Sequence, residues 1–159
     1  MIIKIFCAFV LSCSVQAQSV TEYHLKWEAP KLPFEMKTVL LTSTERNRVS
    51  ETGILTEKVN IPMNKILNDG KIKLRSGEQA FLALVIKNTS DRKIKFSVSP
   101  HSTQPGNASL GFNFNCLCNG HIYEVGAKEV WYRIMHLKTN GTEKASTVDL
   151  LHVIYPVKK

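Results

Sequence analysis

Apolar and polar residues alternate at period two in several short segments of the 159-residue chain, the signature of strands with one face buried. Ile94, Phe96 and Val98 alternate with Lys95 and Ser97. Val130, Tyr132 and Ile134 alternate with Trp131, Arg133 and Met135, and Leu150, His152 and Ile154 with Leu151, Val153 and Tyr155. Ala80 to Ile86 is instead a continuous apolar run, as expected of a strand buried on both faces, although periodicity alone does not separate it from a buried helix. Tyr23, Leu25 and Trp27 read as one more strand, followed by a proline-bounded connection from Glu28 to Pro33. Turn chemistry divides the segments at Asn68-Asp69-Gly70, Ser76-Gly77, Asn88-Thr89-Ser90-Asp91, Gln104-Pro105-Gly106-Asn107 and Asn140-Gly141. Short strands with such turns predict an all-β fold, an antiparallel β-sandwich with Phe96, Val98, Val85 and Ile134 buried. No internal repeat or low-complexity segment divides the chain, so residues 18–159 read as one domain.

The first 17 residues carry a different pattern. Lys4 supplies a positive start, Ile5 to Leu11 form a short apolar stretch, and Val15-Gln16-Ala17 presents small residues for cleavage before Gln18. That stretch is far shorter than the roughly 20 residues of a membrane-spanning helix. The reading is a cleaved signal peptide and a periplasmic mature protein, with an uncleaved short anchor or lipidation at Cys13 as the alternatives. Charge adds little. The formal net charge is +8, but the lysines are spread along the chain and form no arginine-rich run with interleaved aromatics, so nucleic acid is not the expected partner. A solvated basic surface is the expectation, with attraction to the inner-membrane surface or to an acidic partner as the other use of that charge.

Cleavage removes Cys7 and Cys13 and leaves Cys116 and Cys118 as the remaining cysteines of the mature chain. Disulfide scaffolds close long loops, and a pair one residue apart closes almost nothing. Read as a strand, Phe112 to Cys118 places Phe112, Phe114, Cys116 and Cys118 on one face, with the two thiols a strand step of about 6.6–6.8 Å apart and so well separated for a disulfide. Two thiolates sharing one ion select a soft metal, and Cu(I) is the first candidate. Zinc prefers a closed set of four ligands, where the sequence offers two thiolates. Two other readings stand beside the metal site: small buried hydrophobes, and a disulfide or thiol redox couple.

Other ligand candidates are His121, three residues past Cys118, and Met135 and His136 on the following strand. His24, His101 and His152 show no metal spacing. The chain has no Ser/His/Asp order, nucleophile elbow, glycine-rich phosphate loop or zinc-protease motif, so the reading is non-enzymatic. Asn88, Asn107 and Asn140 open triplets that fit glycosylation sequons, a pattern that arises readily by chance.

From about residue 76 to 156 the chain resembles the CtaG-type cytochrome c oxidase copper-assembly proteins. The resemblance is carried by Ser76-Gly77-Glu78, the run Ala80 to Ile86, the turn Lys87 to Ile94, Ser97-Val98-Ser99-Pro100, and above all Phe112-Asn113-Phe114-Asn115-Cys116-Leu117-Cys118. Lys128-Glu129-Val130 and Asp149 to Pro156 fall where that family has a Glu-Glu-Val segment and its last strand. Leu117 and Asn119 stand where the family has phenylalanines. The resemblance implies an immunoglobulin-like antiparallel β-sandwich that binds Cu(I) through Cys116 and Cys118. It further implies a homodimer through that pair and delivery of copper to a subunit of cytochrome c oxidase or a related copper enzyme. A metal-free immunoglobulin-like binding module with structural cysteines and a thiol redox protein are the alternatives.

The N-terminal reading has a direct check. Expressed in an export-competent bacterial host, the protein is expected in the soluble periplasmic fraction with an intact mass that starts at Gln18. Retention of Met1, or a lipid on Cys13, would overturn it.

Overall fold

Eleven strands and very little helix make up the described part of the chain, residues 19–142 and 145–157 of a computed structural model. The expected leader, residues 1–17 with Lys4, Cys7 and Cys13, lies outside the described residues, as do Gln18 and Lys158-Lys159. In chain order the strands are β1 (Val20–Glu28), β2 (Phe34–Leu41), β3 (Thr52–Ile54), β4 (Lys71–Arg75), β5 (Gln79–Asn88) and β6 (Ile94–Val98). They continue with β7 (Ser102–Gln104), β8 (Phe112–Asn115), β9 (Tyr123–Val125), β10 (Val130–Thr139) and β11 (Thr147–Pro156), and one short helix, α1 (Ser43–Arg46), follows β2.

The strands form two packed sheets, so the expected all-β sandwich is the observed fold. One sheet runs β4-β1-β11-β6-β9, with β7 also on β11; the other runs β2-β5-β10-β3, with β8 also on β10. Pairing is antiparallel except between β1 and β11, which run parallel from Glu22 opposite Thr147 to Glu28 opposite Val153. Because side chains alternate, each strand sends every second residue into the space between the sheets. Leu25, Phe96, Leu150 and Ile154 from one sheet meet Leu82, Leu84, Trp131 and Leu137 from the other. The ring of Phe96 is fully buried and stands edge-on to Phe34 and Trp131 at centroid distances of 5.4 Å. All four residues expected in the core, Phe96, Val98, Val85 and Ile134, are buried.

The continuous apolar run of β5 is explained by a second, smaller cluster on the outer face of its sheet. Ala80, Leu82, Leu84 and Ile86 face the inter-sheet core, whereas Ala83 and Val85 join Val39, Leu41, Ile61, Tyr132 and Ile134 on the opposite face. Chain on either side of β3, between β2 and β4, covers that face, with Val49, Leu55, Val59 and Met63 packed against the cluster. Asn88 ends β5 fully buried, its amide donating to the Arg92 and Gly126 carbonyls, so this sequon is occupied by structure. Gly70 closes the turn into β4 at φ +66°, where a side chain would run into the Leu25 carbonyl. Among the described residues no helix is long and apolar enough to cross a membrane.

Two expectations follow from this packing. Phe96→Ala removes a fully buried ring held by aromatic neighbours and is expected to lower stability by about 3–5 kcal/mol, read as a lower urea midpoint at unchanged slope. The second concerns Glu45, which receives a hydrogen bond from Lys65 at 2.7 Å and closes a capping box with Thr42 at the start of α1. The Lys65 bond, then the Thr42 backbone N–H, lower its pKa to about 2 from 4.5. A depressed carboxylate contributes stability that is present above pH 4.5 and lost as pH falls towards 2. Thermal unfolding across that window is expected to show a steeper acid loss for the wild type than for Glu45→Gln, whose amide keeps the cap without the charge. Parallel curves for the two proteins would refute this.

Candidate metal centre

The cysteine pair sits at the end of β8, where the strand stops alternating. Phe112 and Phe114 are buried and Asn113 and Asn115 exposed, but Cys116 and Leu117 are then buried in succession. Two neighbours cannot both face inward on a flat strand, so the backbone bends after Asn115. The Asn119 N–H bonds back to the Leu117 carbonyl, and Gly120 takes φ +74° to complete the turn. This corrects the reading of Phe112 to Cys118 as one strand, and with it the expectation that the two thiols are well separated for a disulfide. The bend brings the two Cα atoms to 5.4 Å, within the range a disulfide spans, and Cys116 and Cys118 are joined by one.

Two histidines arrive from the other sheet. β7 pairs with β11 at Ser102 opposite Leu151 and Thr103 opposite Leu150, a register that continued one residue sets His101 opposite His152. The His101 ring points at the cysteine pair, its Nδ1 lying 3.8 Å from Cys116 Sγ and 3.7 Å from Cys118 Sγ. His152 occupies a core-facing position of β11 and is fully buried. Its ring stacks on Trp27, its register partner on β1, at 4.1 Å, and meets the edge of Phe114 at 5.6 Å. The two imidazoles are 5.3 Å apart.

One donor atom each from His101, Cys116, Cys118 and His152 lie within 4.8 Å of one another. Burial lowers the pKa of His152 to about 4, with the nearby His101 adding to the shift and the Lys26 and Leu150 backbones opposing it. The Lys26 and Leu150 backbones lie close enough to favour a proton on the ring, but neither ring nitrogen of His152 reaches a protein atom at hydrogen-bonding geometry. Burial also lowers the pKa of His101. Both rings are therefore held towards the neutral, ligand-competent form. The cluster is reached from an open depression of about 400 Å³ whose walls include Pro100, His101, Asn115 and Cys118.

Of the ligands considered from sequence, the structure brings together Cys116 and Cys118. His121 is exposed and lies outside the cluster. His136 is likewise outside it, bonded to Gln79 Oε1 at 3.0 Å and stacked on Phe81. Met135 is buried in the inter-sheet core. The spacing of His101 and His152 along the chain fits no metal motif; strand pairing, not sequence distance, unites them with the cysteines. A signal for His152 does exist, since it stands in the apolar column Leu150, His152, Ile154. Counting the two imidazoles, the group offers four nitrogen and sulfur atoms, of which the two sulfurs are joined as a disulfide.

No curated protein matches the chain. A family described as a domain of unknown function matches residues 21–157, a span that runs from β1 to just beyond β11 and includes all four donor residues. On that match the chain belongs to the family Domain of unknown function (DUF8709).

Proposed function

We propose that this protein is an extracytoplasmic copper(I)-binding protein that holds the ion through the reduced Cys116–Cys118 pair and passes it to a copper enzyme. The observation that carries this reading is the placement of His101 Nδ1 at 3.7–3.8 Å from both sulfurs beside an open depression. A disulfide that merely stapled the fold would need no imidazole aimed at it, and this one spans a sequence separation of 2. Once reduced, the two sulfurs are soft donors suited to Cu(I), and the half-buried Cys118 lies on the accessible side. Release then proceeds by ligand exchange: an acceptor's soft ligand attacks the ion through the depression and displaces one protein thiolate at a time. A subunit of cytochrome c oxidase is the acceptor suggested by the resemblance of residues 76–156 to copper-assembly proteins. One observation favours a second reading, a thiol redox protein: the pair is oxidised, with a histidine at the disulfide.

The test is Cu(I) titration of the reduced protein under anaerobic conditions against a competing chelator. The wild type is expected to take up Cu(I) with thiolate-to-copper absorption in the ultraviolet. Cys118→Ser is expected to weaken binding by more than about 100-fold, beyond what loss of an outer-shell partner costs. Its melting temperature is expected to hold, because residue 118 is half-buried and the bond restrains almost no chain. A reversible disulfide with no copper uptake would favour the redox reading. Unchanged Cu(I) binding by the double Cys116→Ser, Cys118→Ser variant would end the copper proposal.

A further inference from the structure

We infer that His101 and His152 are metal ligands in their own right, so that the ion is held by two thiolates and two imidazoles drawn from both sheets rather than by the cysteine pair alone. This rests on the metal-binding reading of the pair given above, and it adds the donor set and the class of ion.

His152 is the strongest part of the case. A fully buried imidazole whose nitrogens reach no protein partner at hydrogen-bonding geometry is unfavourable, since the nearby Lys26 and Leu150 backbones replace the lost water only in part. Its stacking on Trp27 and its edge contact with Phe114 would be served equally by a phenylalanine, which brings no such penalty. Packing therefore explains the ring but not its nitrogens. A bound ion explains the nitrogens.

The distances agree. Ligands about 2.0–2.3 Å from a tetrahedral ion stand roughly 3.3–3.8 Å from one another. His101 Nδ1 already lies 3.8 Å and 3.7 Å from the two sulfurs, and no pair of the four donor atoms exceeds 4.8 Å. The widest pair must close by about 1 Å, and the two sulfurs must move apart once their bond opens. The disulfide must open first. An added dithiol supplies two electrons and two protons and closes to its own cyclic disulfide; the two thiol protons then leave as the ion binds. A set of two sulfurs and two nitrogens suits a closed-shell ion, Cu(I) or Zn(II), and both are diamagnetic.

The experiment follows the histidine ring nitrogens by nitrogen-15 nuclear magnetic resonance in the reduced full-length chain, titrated separately with Cu(I) and Zn(II). His101 and His152 are expected to shift on loading, while His24, His121 and His136 stay in place as internal references. His152→Phe keeps an aromatic ring on Trp27 and removes both nitrogens. It is expected to retain or raise the melting temperature and to bind the ion at least about 10-fold more weakly, with His101→Ala weakening it similarly. If the reduced protein loads metal but the His152 nitrogens do not move, or the phenylalanine variant binds like the wild type, the imidazole ligands are refuted and a two-thiolate site stands. If reduced wild-type protein loads neither ion, both readings fall. Which ion binds more tightly in competition decides between the copper and zinc forms of the site.

Discussion

Backbone hydrogen bonding along β11 is the constraint on which the rest of this protein depends. One edge of β11 carries β1 in parallel register and the other carries β6 and β7, so a single strand fixes the azimuth of three others. The β1 register sets Trp27 beside His152, and the β7 register leads His101 to the same level. Side-chain alternation then decides which of these groups look inward. A one-residue slip of β11 would turn His152 to solvent and bring a neighbour, Leu151 or Val153, into the aromatic slot. The cluster is thus a product of register.

Much of the sandwich was legible because its patterns are local. The alternation of Ile94 to Val98 and of Leu150 to Tyr155 became β6 and the second half of β11, and Ala80 to Ile86 became the centre of β5. The expectation that this run is buried on both faces holds, although what covers the outer face was hidden. That cover is the irregular chain on either side of β3, whose Val49, Leu55, Val59 and Met63 follow no strand or helix period. The parallel pairing of β1 with β11 was equally invisible, since neither strand records its partner's direction.

The site divides in the same way. Cys116 and Cys118 stood out because two cysteines in so short a span are rare chemistry, whereas His101 and His152 are common residues whose meaning comes from pairing across more than 30 residues of chain. The bend at Cys116 is hidden in the sequence for a related reason. Alternation from Phe112 to Asn115 extrapolates smoothly into the cysteines, and only the burial of Leu117 breaks it. Electrostatics contributes less than the composition suggests. Lysines 26, 73, 93, 95 and 128 each pair with a surface carboxylate, and exposed pairs of this kind are worth little individually.

The cysteines follow a strand of one sheet, whereas both histidines belong to the other. An ion drawing on all four donors would be a clasp between the two layers, closing the sandwich at the end where β8 leaves off. The layers could then slide or part there only by surrendering a metal–ligand bond. Cargo and keystone would be the same atom, and a partner that lifts it out would at the same moment loosen the wall it was taken from.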